Sequence, residues 1–310
     1  MPELPEVQTT VNGLKTKVIN LTIRDVWSNY NSDYFKGSET IKDPRYFKYF
    51  KKTITGKKII SVERRAKNIL INVTDGQTIL IHMKMTGHLL FGHYKYDAKI
   101  KKDPWVPIEP ESLKDPYNRH IRLVISLSNG YHLALSDVRR FAKVTVLPRD
   151  TAHHSIHLSG IGPEPLEAQF TFDKFKDRLF RKPQSKIKQS LIDQSIIAGI
   201  GNIYADETLW RARIHPAEKI ANIPKDKLKE LYVAIRSLLS KGIKLGGDSM
   251  SDYRNVDGEK GKFQEHHFAY RKTGQHCEMK GCKGTIKRIV LGGRSTHYCS
   301  LHQVLSKNSI

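Results

Sequence analysis

The chain changes its periodicity once, after about residue 148, and that change constrains the fold more than any other feature. Before it, β-rich runs such as "KKIISVERRAKNILINV" and "QTILIHMKM" are parted at Asp75-Gly76, and "IRLVISLSNGYHLALSDVRRFAKVTVL" is divided at Asn129-Gly130. Alternating runs broken by Asp-Gly or Asn-Gly are hairpins. A short amphipathic helix precedes them, because Leu4, Val7, Val11, Leu14 and Val18 recur at helical spacing and Pro5 sits in a first turn, where its missing N–H does no harm. Residues 1–148 therefore predict a β-sandwich or barrel with a flanking helix. Residues 93–118 hold four prolines and no clean periodicity, which predicts a long surface insertion.

From about Phe170 the pattern turns helical, in "FTFDKFKDRLFRKPQSKIKQSLIDQ", "NIYADETLWRARI" and "PKDKLKELYVAIRSLLSKGIKLGG", stopped by Gly246-Gly247. Residues 149–265 predict a helical domain, in which the glycine-punctuated stretch "GGDSMSDYRNVDGEKG" has no legible role. Cys277, Cys282 and Cys299 are the only cysteines. An odd, clustered set argues against a disulfide framework and for a metal site in a reducing compartment, so residues 266–310 predict a metal-stapled module. The fold class is α+β and multidomain.

Lys and Arg number 53 against 31 Asp and Glu, a net charge of +22, and such an excess points to a polyanionic partner. No apolar run is long enough to span a bilayer, and the N-terminus lacks the basic and apolar regions of a signal peptide. These features together predict a soluble intracellular protein that binds nucleic acid.

The opening "MPELPEVQTT" carries chemistry. Removal of Met1 leaves Pro2 with a free secondary amine, and an α-amino group with a pKa of about 8 is partly unprotonated near neutrality. Such an amine attacks the anomeric carbon of a deoxyribose, expels the base and forms an iminium ion that favours loss of the adjacent phosphate. Glu3 is placed to shuttle protons at the sugar. Taken alone, "PELPE" reads first as a helix start whose acids stabilise the dipole.

The remaining motifs decide between the two. "MPELPEV", "RRAKNIL", "IHMKMTGHL", "SDVRRFA", "GIGPEPL", "DQSIIAGIGNIYADETLWRARIHP" and the terminal cysteine cluster resemble, in order and spacing, the formamidopyrimidine-DNA glycosylase family. The resemblance spans nearly the whole chain. It implies a β-sandwich, a helix-two-turn-helix domain and a zinc finger around duplex DNA, and a monomer that excises oxidised purines and nicks the strand by β,δ-elimination. It further implies that Pro2 and Glu3 are catalytic, that Glu6 is a second acidic site residue, and that Lys67, His82 and Asn202 contact phosphate. Asn202 stands where a helix N-terminus favours an anion. Met85, Arg139 and Phe141 match residues that fill the stack once a base is flipped out, with Arg139 facing the orphaned cytosine. Arg294 resembles an arginine that grips the lesion phosphates, and Lys186 and Lys188 are expected near the DNA backbone.

The sequence departs from the family in two places. Ala142 stands where glycine is usual, which bears on the local backbone. In the finger, Cys277-x4-Cys282 and Cys299-x2-His302 replace two CxxC pairs. The residues still offer an ordinary Cys3His zinc set, with one ion per chain. His302 follows Cys299 at a knuckle spacing; His276 adjoins Cys277, and His297 is expected to face outward or meet DNA. Two rival functions remain, an endonuclease VIII type acting on oxidised pyrimidines and a non-catalytic damaged-DNA-binding protein. "PELPE" and the Met85, Arg139 and Phe141 set favour the purine enzyme over the first; intact Pro2, Glu3 and Lys67 speak against the second.

Overall fold

The computed structural model describes residues 1–30 and 32–306. By compactness the chain divides into two units, residues 1–159 with 245–262, and residues 160–244 with 263–310. The stretch after Gly246-Gly247, which follows the helical domain in sequence, thus packs into the β unit.

In the first unit, helix α1 (Leu4–Lys17) buries Leu4, Val7, Val11 and Leu14 on the face the sequence marks out. Two antiparallel sheets lie behind it. Strands β2 (Ile59–Arg65), β3 (Asn68–Val73), β4 (Gln77–His82) and β9 (Lys143–Pro148) form one. Strands β1 (Ile23–Ser28), β7 (Ile121–Leu127), β8 (His132–Ser136), β5 (His88–Tyr96) and β6 (Trp105–Glu109) form the other, in that order. Helix α2 (Pro44–Ile54) starts on an Asp43 cap whose carboxylate accepts from the amides of Arg45 and Tyr46. Ile69, Ile71, Val73, Ile79 and Ile81 meet Leu89, Leu123, Ile125 and Leu135 in the main core. Burying one such side chain contributes about 1.5–3 kcal/mol, so the alternation that writes the hairpins also fixes which face closes the sandwich. Asp75 and Gly76, with φ of 59° and 67°, make the β3–β4 turn.

The insertion is not a structureless loop. Trp105–Glu109 pairs with β5 as an edge strand, where Pro107 is tolerated, and Trp105 meets Trp27 and Tyr96 edge-on. Leu113 joins Leu90, Tyr94, Ile121 and Val124 in a second, smaller core. Prolines interrupt the alternation, so periodicity alone conceals a strand that sheet pairing holds in place.

The second unit holds α3 (Phe172–Leu179), α4 (Ile187–Ile192), α5 (Asn202–Ala212) and α6 (Lys225–Lys244). A hairpin follows, β10 (Ile286–Leu291) with β11 (Arg294–Cys299). Gly292 and Gly293, at φ of 55° and 71°, form its two-residue turn, for which positive φ at both positions is required. Helix α5 is buried from Tyr204 through Trp210, because α4, α6 and β11 all pack on it. Among the described residues no helix is long and apolar enough to cross a membrane.

Candidate active site and metal centre

The N-terminus is folded into the protein. Pro2, Glu3 and Glu6 are all buried. The Glu3 amide donates to Glu6 Oε2 at 2.7 Å, closing a capping box over the first turn of α1. Glu6 Oε1 accepts from the amide of Asp248 at 2.8 Å, and the Tyr253 hydroxyl donates to the Glu6 carbonyl at 2.9 Å. Gly247 makes this approach possible, since a Cβ there would lie 2.9 Å from Glu6 Cγ. Burial, and next the repulsion of Glu3, push the Glu6 carboxyl up to about 7 against the pull of the two amides. A carboxyl so placed can hold or release a proton near neutrality.

Lys67 is buried in the β2–β3 turn, after Ala66 at φ 52°. Pairing of Asn68 with His82 brings Lys67 and His82 to the same end of the sheet. His82 Nδ1 accepts from the Lys84 amide at 3.0 Å, which leaves Nε2 to carry the proton. Burial first, then Lys84 and Lys67, hold the ring at about 3. The His82 ring is therefore uncharged near neutral pH, with its proton on Nε2.

Met85 is half-buried, while Arg139 and Phe141 are exposed, the Arg139 guanidinium lying 4.5 Å from the Phe141 ring centroid. Asp137, fully buried, organises both loops. It accepts from the Thr86 hydroxyl at 2.6 Å, the Tyr30 hydroxyl at 2.7 Å and the Ala142 amide at 2.8 Å, and Thr86 Oγ1 in turn accepts from the Arg139 amide at 3.1 Å. Sequence reasoning passed over Asp137, although it stands inside the quoted "SDVRRFA". Ala142 is buried and Arg140 takes the positive φ, 56°, so the residue that replaces glycine has no left-handed conformation to adopt.

In the second unit Lys188 corrects its expectation. Its side chain is 1 % exposed, and its ammonium pairs with Asp206 at 2.6 Å and donates to the Ser295 carbonyl and Thr296 hydroxyl. It presents no cation to a phosphate at the surface. Removing it leaves Asp206 as a buried charge short of its partner, which typically costs about 3–5 kcal/mol. Lys188→Met is therefore expected to lower the melting temperature while leaving the salt dependence of DNA affinity unchanged. Thermal melts and a salt titration check it, and a shallower salt slope with intact stability would restore the phosphate contact.

Asn202 opens α5, whose cap is Gly201. Its Nδ2 donates to the Ser295 carbonyl at 2.9 Å, and among the described residues its buried Oδ1 finds no partner. Lys188 and Asn202 thus grip the residue after Arg294, itself exposed at the head of β11. His297 does not face outward: its amide and ring both reach Asp206, each at 2.9 Å. Glu207 accepts from the amides of Phe268, Ala269 and Tyr270. Asp206 and Glu207, within "IYADE", were not singled out from sequence, and they bind the C-terminal segment to α5.

Cys277, Cys282, Cys299 and His302 bring their ligand atoms within 4.8 Å of one another. Cys282 and Cys299 stand 3.5 Å apart, and His302 Nδ1 lies 3.4 Å from both Cys277 and Cys282. Tetrahedral zinc with Zn–S near 2.3 Å has edges of about 3.7 Å, so the donor set fits that ion. Amides of Gly284 and Leu301 point at the sulfurs of Cys282 and Cys299, the Trp210 indole donates to Cys277 Sγ, and His302 Nε2 meets the Trp210 carbonyl at 3.2 Å. Such outer partners fix the orientation of metal ligands. His276 is exposed and stands outside the cluster.

Comparison with known proteins gives these arrangements a context. Residues 1–144 match the formamidopyrimidine-DNA glycosylase N-terminal domain, and residues 161–254 match the formamidopyrimidine-DNA glycosylase H2TH domain. Fold and site thus define a DNA-repair glycosylase with a cysteine–histidine hairpin at its end. Formamidopyrimidine-DNA glycosylase of Heliobacterium modesticaldum is 35% identical, over 96% of this chain and 98% of that protein. The enzyme of the same name from Pelotomaculum thermopropionicum is 36% identical over the same shares. The solved structure of Lactococcus lactis Fpg in complex with DNA containing an abasic site superposes with a TM-score of 0.80, at 31% identity, covering 97% of this chain and 99% of that one. MutM in complex with DNA containing carbocyclic 8-oxo-G superposes with a TM-score of 0.79, at 31% identity and the same coverage. The chain belongs to the formamidopyrimidine-DNA glycosylase family.

Proposed function

We propose that the protein is a bifunctional DNA glycosylase and abasic-site lyase that excises oxidised purines from duplex DNA in base excision repair. The observation that carries this reading is the buried start of the chain, where Glu3 and Glu6 are withdrawn from water beside Pro2. An ordinary helix start leaves its acids solvated. Structures of related enzymes with abasic-site DNA and with 8-oxo-G DNA support the substrate class.

Once Met1 is removed, the Pro2 nitrogen attacks C1′ of the damaged nucleoside and the C1′–N bond breaks, the base leaving with a proton. The nitrogen lone pair then opens the sugar to an iminium ion, which acidifies C2′; loss of a C2′ proton expels the 3′-phosphate. A second elimination expels the 5′-phosphate, and water frees Pro2. Glu3 moves protons at the sugar, and Glu6 holds Glu3's backbone in place. Lys67 and neutral His82 bind the lesion phosphates from the first unit. From the second, Arg294 binds as a bidentate fork and Asn202 through the dipole of α5. Met85, Arg139 and Phe141 fill the space of the flipped base, with Arg139 against cytosine. Cys277, Cys282, Cys299 and His302 would hold a zinc ion, which would supply structural support by pinning the hairpin that presents Arg294. In this reading the protein acts as an intracellular monomer, and duplex DNA is its partner.

Borohydride trapping tests the chemistry. Duplexes carrying an abasic site, or 8-oxoguanine opposite cytosine, are expected to yield a covalent adduct with the purified protein. Folded protein that gives no adduct with abasic DNA would end the lyase reading.

A further inference from the structure

Two segments without a legible role in the sequence, the insertion and the stretch after Gly246-Gly247, are bound to each other within the first unit. Arg254 is 1 % exposed, yet its guanidinium reaches Asp115 of the insertion at 3.2 and 3.4 Å and lies 4.4 Å from the Tyr117 ring centroid. Asn118 donates to the Gly258 carbonyl at 3.0 Å, and the Ser112 hydroxyl donates to the Asp257 carbonyl. Gly258 sits so close that a Cβ would lie 2.7 Å from Asn118 Nδ2. The same stretch supplies the Asp248 amide and the Tyr253 hydroxyl that hold Glu6, and Tyr253 adjoins Arg254 in the chain. The Arg254 guanidinium also donates to the Tyr253 carbonyl at 2.9 Å, so Asp115 is joined through Arg254 to residue Tyr253, whose hydroxyl at the far end of its ring holds Glu6, the acceptor of the Glu3 amide.

We propose that the insertion is a positioning element for the reacting N-terminus, and that Asp115 is a positioning residue acting through Arg254 on the Tyr253 and Asp248 contacts to Glu6. The claim rests on the reading of Pro2 as nucleophile. A buried guanidinium keeps one geometry only while its hydrogen bonds are satisfied; the Ser251 and Tyr253 carbonyls take Nη1, and Asp115 supplies the fork for Nε and Nη2. With that fork intact the backbone at 253–258 is fixed, and so is the first turn of α1. Displacements of about 1 Å at a reacting group cost as much as 100-fold in rate, so a contact this far along the path matters to chemistry without touching DNA.

The test is single-turnover cleavage and trapping on abasic duplex by the full-length protein and its Asp115→Asn, Asp115→Glu and Ser112→Ala variants. Asp115→Asn is expected to lower the cleavage rate about tenfold with KM close to the parent, and to lower the melting temperature as well, since the buried Arg254 guanidinium loses its charged partner. Asp115→Glu, which keeps the carboxylate, is expected to recover most of that loss, and Ser112→Ala to show a smaller loss in the same direction. An unchanged rate in folded Asp115→Asn, a rate loss that disappears when the assay is run well below that variant's melting temperature, or a loss that Asp115→Glu does not recover would each overturn the proposal while leaving Pro2 chemistry standing. Absence of an adduct from the parent protein would overturn both together.

Discussion

With Met1 retained or Pro2 acetylated, the protein is expected to bind lesion-bearing duplex and leave it uncut. No other nucleophile is assigned, and loss of a covalent nucleophile typically removes at least about a thousandfold of rate. Glu3 and Glu6 cannot substitute, since neither carboxylate forms the iminium ion that acidifies C2′. Binding survives, because phosphate contacts carry most of the affinity and none of the proposed ones uses the amine. Mass spectrometry of the terminus, trapping and a binding titration on one preparation check the result. Should acetylated protein still form the adduct, a lysine side chain must be the nucleophile, and Lys67, buried beside His82, would be the first to examine.

The second large effect is expected at the metal. His302→Ala is expected to release zinc, whereas His276→Ala and His297→Ala keep one ion per chain. Removing only an outer partner of a metal ligand costs about 10- to 100-fold in affinity, and removing the ligand exceeds that. Zinc binding in such fingers supplies folding free energy on the order of 10 kcal/mol, so the apo hairpin loosens and Arg294 loses its place. His297→Ala behaves differently, because its ring is tied to Asp206: it lowers stability and retains metal. Cleavage of lesion duplex falls in the His302 variant while trapping on a single-stranded abasic oligonucleotide persists. Metal analysis after dialysis decides the matter, and a stoichiometric ion in His302→Ala would remove His302 from the ligand set.

What was legible in the sequence depended on distance along the chain. The hairpins at Asp75-Gly76 and Asn129-Gly130, the amphipathic face of α1 and the Cys299-x2-His302 knuckle are each written within a dozen or so residues, where turn geometry and side-chain period act directly. The motif order carried the family. Local rules failed where a residue's partner lies far away. Lys188 reads as a surface cation until Asp206, Ser295 and Thr296 close around it. Residues 93–118 read as a loop because prolines break the alternation, yet β5 offers a paired edge.

The sequence by itself determined the hairpin strands, the amphipathic α1 and the helical segments after Phe170, which residues have the chemistry to attack a sugar or bind zinc, and that the chain is basic enough to seek a polyanion. Only the tertiary structure decided the electrostatic state of those residues and what holds them. Glu6 reaches about 7 because burial and Glu3 act on it together, while the amide that steadies it comes from Asp248, 242 positions away. Asp137 ties the Thr86 and Ala142 loops, and Asp115 grips Arg254. The physical reason is common to all of these. A side chain's type is local, but its desolvation and its hydrogen-bond partners exist only once distant segments exclude water from around it.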